Sequence, residues 1–186
     1  MGDELVLNKP SIAIIGCRDA SDYGKRVAFN FAYELAKEGF VIVSGLARGI
    51  DTYAHLGAVK ANGKTIAVLG SGLKHIYPAE NKELCNEIVK KGGAVITEYE
   101  PHIKPLPMNF PSRNRIISGL SNGVLVVEAK QKSGTLITVD YALEQGKDVF
   151  VIPGNITSTN SYGTNELIKQ GAKPVTNIQE IIEEII

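Results

Sequence analysis

An arginine set between two glycines is the feature of this sequence best suited to bind an anion. Arg48 lies in the segment SGLARGID, residues 44–51, where Gly45 and Gly49 let the backbone turn tightly and approach a ligand. Its guanidinium suits a two-point grip on phosphate, and an ion pair with a carboxylate is the alternative. Asp51 is predicted to be the N-cap of the helix that follows and runs through Val59.

Arg18 and Lys132 are two further candidates, each in a turn that follows an apolar run. Arg18 lies in GCRDASDYG, where it contacts either an anion or a neighbouring aspartate, Asp19 or Asp22. Lys132 precedes Ser-Gly-Thr at a predicted helix start, where free N–H groups attract anions. A solvated charged turn that contains Lys130 and Lys132 is the alternative.

Two arginines in the segment FPSRNRIISGL form another candidate anion site. Arg113 and Arg115 flank an asparagine just past Pro111, at the start of a predicted short helix with free N–H donors. One of the two arginines is alternatively a structural partner of Glu98 or Glu128, and the sequence leaves open which one.

Patterns that indicate catalysis or a bound cofactor are missing from the sequence. The turn after the first apolar run is not GxGxxG, and the lysine before Ser-Gly-Thr lacks the spacing GxxxxGK[ST], so neither a dinucleotide cofactor nor ATP hydrolysis is supported. His55, His75 and His102 show no metal-ligand spacing and are expected at the surface or at caps, and no nucleophilic triad signature is present. We therefore expect no catalytic residue, no metal and no cofactor.

The composition is that of a globular protein without a global preference for anions. Twenty Lys and Arg residues balance twenty Asp and Glu residues, so any anion site must be local. Cys17 and Cys85 lack a paired spacing and are expected to be buried small hydrophobes in a reducing compartment. Neither a membrane-spanning run nor a signal core is visible, which predicts a cytoplasmic protein that does not contact membranes.

Short apolar runs alternate with helical patterns along the chain. Continuous apolar runs ended by Gly, Pro or a small polar residue are typical of strands buried on both faces, and the runs are Ser11–Gly16, Phe40–Ser44, Thr65–Gly70, Ala94–Thr97, Gly123–Glu128 and Asp148–Pro153. Helical spacing of apolar residues between the runs predicts right-handed crossovers. We expect a three-layer α/β fold, doubly wound, with a mostly parallel sheet and helices on both faces. Its ligand crevice should lie beyond the carboxyl ends of the strands.

With these residues in view, the sequence closely resembles the DprA/Smf family of DNA-processing proteins. The segments that carry the resemblance occur in family order and are GCRDASDYG, SGLARGID, VLGSGLKHIYPAEN, FPSRNRIISGL, VVEAKQKSGTLIT, VFVIPGN and YGTNELIKQGA. The resemblance implies an extended Rossmann-like fold that binds and protects single-stranded DNA, helps to load a RecA-type recombinase during natural transformation, and dimerises. It also implies that Arg48, Lys132 and a basic residue of the pair Arg113 and Arg115 contact DNA.

The residues expected to bind DNA are chosen from this resemblance together with the anion-binding turns described above. They follow strand ends or begin helices, and they are Arg18, Ser44, Gly45, Arg48, Gly49, Arg113, Arg115, Lys132, Ser133, Gly134 and Thr135. Contacts should go mainly to phosphate, because stacking aromatics are few, with Tyr23, Tyr53, Tyr77 and Phe110 as the candidates. The rivals to DNA binding are a nucleotide-sensing module and a nucleotide phosphoribohydrolase, whose PGGxGTxxE loop matches KSGTLITVDYALE only loosely.

The organisation of the chain is expected to be simple. We expect one domain over residues 1–186, with neither the helical N-terminal domain nor the winged-helix C-terminal domain of many relatives, and with a tail helix at 178–186. Apolar residues of the C-terminal third are predicted either to form a self-complementary dimer patch or to pack on their own domain, and they are Leu167, Ile168, Ile178, Ile181, Ile182 and Ile185.

Overall fold

Seven short strands form the centre of the fold. The structure is a computed structural model that describes residues 1–185. The strands are β1 (Ser11–Gly16), β2 (Val41–Ser44), β3 (Thr65–Val68), β4 (Ala94–Ile96), β5 (Gly123–Glu128), β6 (Asp148–Val151) and β7 (Lys173–Pro174). Six of them fall within the predicted apolar runs, and the two-residue β7 was not predicted because it has no apolar run of its own.

The sheet is doubly wound, as predicted. Its strand order is β4-β3-β2-β1-β5-β6-β7, and every ladder between neighbouring strands is parallel. The chain therefore builds outward from β1 in one direction and then crosses to β5 to build in the other. This reversal leaves a crevice between the loops that follow β1 and β5, which is where ligands bind in such sheets.

Helices cover both faces of the sheet. They are α1 (Asp22–Lys37), α2 (Ile50–Lys60), α3 (Lys82–Lys90), α4 (Asn109–Gly119), α5 (Gly134–Glu144), α6 (Tyr162–Lys169) and α7 (Gln179–Ile185), with short 3-10 turns at Glu4–Asn8, Ala79–Asn81 and Thr159–Ser161. None of the helices in residues 1–185 combines the length and the apolar character that crossing a membrane requires.

Alternation along the strands divides the core between the two faces. Ile12 and Ile14 of β1 pack with α1, α2 and α7, whereas Ala13 and Ile15 pack on the opposite face with α4, α5 and α6. Successive side chains of a strand point to opposite faces, so a strand with a helical layer on each side must be apolar at every position. The three predicted layers are confirmed.

The apolar residues of the C-terminal third pack on their own domain. Ile178 and Ile181 are buried in the core cluster that also contains residues of α1 and α2, and Ile182 and Ile185 are partly buried against it. On the other face of the sheet Leu167 is buried and Ile168 is partly buried. Packing on their own domain is thus the alternative that the structure shows for the buried residues, and a dimer contact through the partly buried Ile168, Ile182 and Ile185 stays a prediction. The predicted tail helix is observed as α7, and Ile186 lies outside the described residues.

Two smaller expectations are corrected by the packing. His55 was expected at the surface or at a cap, but it is fully buried in α2, and its Nδ1 lies 2.7 Å from Thr65 Oγ1. The helical spacing of Val139, Ala142 and Leu143 predicts that all three face the core from α5, but Leu143 is 61% exposed. Cys17 and Cys85 are buried thiols, as predicted, and burial raises the pKa of each.

Candidate nucleic-acid interface

A cleft of about 590 Å³ lies beyond the carboxyl ends of the central strands. We call it the main cleft, and the residues that define its chemistry are Arg18, Asp19, Asp51, Phe110, Arg113, Lys130, Lys132, Ser133, Gly134 and Thr135. A side recess of about 30 Å³ adjoins it and is lined by Arg18, Gly45, Ala47, Arg48, Tyr77, Pro78 and Phe110. The two share Arg18, Ala47, Tyr77 and Phe110, so cationic loops after β1, β2 and β5 meet in one region.

The charge of the main cleft is locally positive although the chain is neutral. Four cationic and two acidic side chains line it. Lys130 is held by Asp19 at 3.1 Å, whereas Arg18 and Lys132 have no carboxylate within 4 Å among residues 1–185. The side chains of Arg18 and Lys132 are therefore not engaged by a carboxylate and are available to bind a phosphate.

The loop after β2 is shaped by two glycines that no other residue can replace without strain. Gly49 has φ +74°, and a Cβ there would lie 2.2 Å from the carbonyl oxygen of Cys17. A Cβ on Gly45 would lie 2.7 Å from Nη2 of Arg113. The glycines thus bring the backbone against the turn after β1 and against α4, which is the close approach expected of this loop.

Asp51 accepts hydrogen bonds from the loop after β2, whereas it was predicted to be the N-cap of the following helix. Gly49 is the N-cap of α2, and Asp51 lies inside the first turn with its Oδ2 accepting from the amides of Gly45 at 3.1 Å and Ala47 at 3.3 Å. Burial raises the pKa of the Asp51 carboxyl, and the nearby charge of Arg113 opposes that rise. The prediction that Asp51 caps the helix is therefore wrong, because the carboxylate turns back to satisfy the loop.

Arg48 forms an ion pair with a carboxylate, which is the alternative to phosphate binding that the sequence left open. Its Nε and Nη2 donate to Oε1 and Oε2 of Glu80 at 2.6 and 2.9 Å. The arginine points into the side recess, and its side chain remains 60% exposed. The expected two-point grip is present, but in this structure it is made to a carboxylate.

The two arginines of α4 have separate environments. Arg113 is buried, and its Nη1 donates to the carbonyl oxygens of Gly45, at 2.8 Å, and Val68. Burial lowers the pKa of Arg113 to about 10, while the carboxylate of Asp51 opposes the shift. Arg115 pairs with Glu98, as one arginine of the pair was expected to do, and lies outside both cavities. Arg113 is the member of the pair that lines the main cleft.

The start of α5 forms one wall of the main cleft. Ser133 is its N-cap, and its Oγ accepts from the amide of Thr135 at 3.2 Å. The N-terminus of α5, with the positive end of the helix dipole and its free N–H groups, therefore lies beside Lys132. This arrangement is the one the sequence predicted for Lys132, Ser133, Gly134 and Thr135.

Three members of the expected binding set do not line either cavity. Ser44 is fully buried and donates its hydroxyl to the carbonyl oxygen of Ile14 at 2.7 Å, so it ties β2 to β1. Gly49 serves as the N-cap of α2, and Arg115 is engaged by Glu98. Ser44, Gly49 and Arg115 therefore lie outside both cavities, and their contact with DNA stays a prediction.

Two features of the site were missed by reasoning from the sequence. Glu80 was not identified as the partner of Arg48, although it follows β3, the neighbour of β2, at the same sheet edge. Asp19 was weighed only as a partner of Arg18, yet it binds Lys130 across the switch point between β1 and β5. In both cases the available signal was an acidic residue in a loop adjacent to a cationic one.

These features define a class: a doubly wound α/β protein with a cationic cleft at its topological switch point. A family model described as DNA recombination-mediator protein A matches residues 1–186, and the chain belongs to this family.

Individual relatives agree with this assignment. The chain is 46% identical over 185 residues to DNA processing protein DprA of Bacillus subtilis, covering 99% of this chain and 62% of the relative. The structure of DprA from Streptococcus pneumoniae superposes with a TM-score of 0.91 at 46% identity, covering 100% of this chain and 65% of that one. DprA from Helicobacter pylori, whose structure was described for its single-stranded DNA binding mode, gives a TM-score of 0.89 at 36% identity, covering 98% and 83%. The chain spans 49 to 63% of the length of the curated relatives DprA of B. subtilis and S. pneumoniae and Smf of Escherichia coli.

Proposed function

We propose that this protein binds single-stranded DNA through the main cleft and the side recess, and leaves the strand chemically unchanged. The observation that carries the proposal is the meeting of Arg18, Arg113 and Lys132 with the start of α5 in one cleft. Guanidinium and ammonium groups beside free N–H donors are the usual partners of nucleic-acid phosphates. The single-stranded DNA binding described for the H. pylori relative supports the choice of ligand.

The binding should depend little on sequence. The exposed cationic groups of the site are suited to contact phosphates, and phosphates carry no sequence information. Each phosphate neutralised by a cation releases counterions, so affinity should fall steeply as salt is raised.

A fluorescence polarisation titration tests this proposal. Labelled oligothymidylate and a mixed-sequence strand of equal length are titrated with the protein over a series of salt concentrations. Similar affinities for the two strands, with a linear fall of log affinity against log salt, are expected. Absence of binding to either strand at low salt would falsify the proposal.

The same preparation separates binding from chemistry on nucleotides. After incubation with the protein, the oligonucleotide should retain its length on a denaturing gel, and nucleoside monophosphates should release no free base. Release of base would instead indicate a phosphoribohydrolase. Strong competition by mononucleotides against the oligonucleotide would indicate a nucleotide sensor.

The family resemblance also motivates a proposal about partners. We propose that the protein works as a homodimer and hands the bound strand to a RecA-type recombinase. The proposal does not assign the dimer surface, because Ile181 of α7 is buried in the protein's own core, whereas Ile182 and Ile185 are only partly buried. Sedimentation of the protein alone, and recombinase filament formation on coated single strands with and without it, test the two parts separately.

A further inference from the structure

An exposed aromatic side chain stands at the mouth of the site. Tyr77 lies in the loop after β3 and lines both the main cleft and the side recess. Tyr77 is 42% exposed, so a large part of it faces solvent next to the cationic groups. Tyr53, another expected aromatic candidate, packs against the core, and Tyr23 lines neither cavity.

Tyr77 is supported from behind by Phe110. The two ring centroids are 5.7 Å apart at an interplanar angle of 46°. Phe110 packs directly on the backbone of Gly70, where a Cβ would lie 2.8 Å from its Cδ1, and the neighbouring Asn109 donates to the carbonyl oxygen of Gly70 at 3.0 Å. The support is therefore fixed to the end of β3.

Cationic groups surround this aromatic pair. The guanidinium carbon of Arg18 lies 5.2 Å from the ring centroid of Phe110, and Arg48 shares the side recess with Tyr77. A strand whose phosphates contact Arg18 and Arg48 passes the open part of Tyr77. Bases of an unpaired strand are free to stack, and an aromatic ring beside a cationic groove is the platform that single-strand binders use.

We infer that Tyr77 stacks on a nucleobase of the bound strand, which makes the mouth of the cleft a base-binding subsite for unpaired nucleic acid. The inference rests on the proposed function and adds to it, because the cationic groups of the site account only for contacts with phosphates. A platform of this kind accepts every base through its π-face and favours unpaired strands over duplexes, whose bases are already stacked.

Strands with and without bases test the inference. Oligothymidylate and an abasic strand of the same length carry the same phosphates, and their affinities are compared in wild type and in Tyr77→Ala, Tyr77→Leu and Tyr77→Phe. Wild type should prefer the strand with bases by about tenfold, the order of magnitude of one base–aromatic stack. Tyr77→Ala and Tyr77→Leu should reduce that preference severalfold while leaving affinity for the abasic strand unchanged, and Tyr77→Phe should retain it.

The control and the contrary outcomes are specific. Tyr23→Ala removes an equally exposed tyrosine outside both cavities and should leave both affinities unchanged. If Tyr77→Ala does not fold, Tyr77→Leu makes the same comparison. Equal loss of affinity for both strands, or no loss, overturns the inference while phosphate binding stands. Failure of wild type to bind either strand removes the proposed function and the inference with it.

Discussion

Arg48 and Glu80 hold each other in a two-point ion pair at the edge of the cleft. Nε and Nη2 of the arginine lie 2.6 and 2.9 Å from the two carboxylate oxygens, and both side chains are more than half exposed. The hydrogen bonds raise the pKa of Arg48 and lower that of Glu80. A carboxylate and a phosphate present similar pairs of oxygens to a guanidinium, so the two compete for the same donors.

Removing the charge of Glu80 should therefore strengthen DNA binding. Glu80→Gln frees the guanidinium of Arg48 and removes a negative charge from the path of the strand, so affinity for oligothymidylate at low salt should rise severalfold. Polarisation titration measures the change. Glu166→Gln breaks the comparable pair with Lys169 outside both cavities and should leave affinity unchanged. Weaker binding by Glu80→Gln would mean that the ion pair positions Arg48 for the strand.

Loss of a cation from the cleft should weaken binding uniformly. Lys132→Ala and Arg48→Ala should each reduce affinity for every strand and lower the slope of log affinity against log salt by about one, because one fewer counterion is released. Both side chains are exposed, so the melting temperature should stay near that of wild type. Lys60→Ala, at the end of α2 and outside both cavities, is the matched control. An unchanged salt slope in Lys132→Ala would show that the strand does not contact this lysine.

Arg113 should matter more for stability than its neighbour one half-turn away. Arg113→Ala leaves the carbonyl oxygens of Gly45 and Val68 without their donor and removes the positive charge near the buried Asp51, which should lower the free energy of unfolding by about 3–5 kcal/mol. Arg115→Ala breaks only a partly exposed pair with Glu98 and should cost under about 1 kcal/mol. Urea unfolding of both variants makes the comparison. Equal losses would contradict the structural role assigned to Arg113.

Acid should destabilise the protein through His55. Burial, with a smaller contribution from the charge of Arg113, lowers the pKa of His55 from 6.5 to about 3. Its Nδ1 donates to Thr65 Oγ1, whose hydroxyl donates in turn to the carbonyl oxygen of Ile42, and its Nε2 has no partner within residues 1–185. The unfolded chain takes up a proton that the folded one excludes, so the free energy of unfolding falls as pH drops below 6.5, approaching about 1.4 kcal/mol per pH unit.

Urea unfolding between about pH 7 and 5 measures this dependence. Asp51 acts in the opposite direction, because its raised pKa favours proton uptake by the folded state. The difference between wild type and His55→Leu isolates the imidazole, and the variant should lose less stability over this range. Identical slopes would mean that His55 takes up a proton in the folded protein as readily as in the unfolded chain, so that its pKa is not lowered.

The parallel sheet could be predicted from the sequence, because strands that are buried on both faces must be continuous apolar runs. Ser11–Gly16 and Gly123–Glu128 were predicted to the residue. The start of α5 was readable for a similar reason, since Ser133 and the glycine after it are local signals of a helix N-terminus. Such features depend on neighbours in the chain, which a sequence displays directly.

Only the tertiary structure decided which charges are free. The sequence by itself determined that cationic loops follow β1, β2 and β5, and that parallel strands carry them to one edge of the sheet. It did not determine that Glu80, which is 32 residues away, holds Arg48, or that Arg113 is buried beneath Gly45. Partners of a long charged side chain are set by distances across the fold, and the strand order that fixes those distances is a property of the whole sheet.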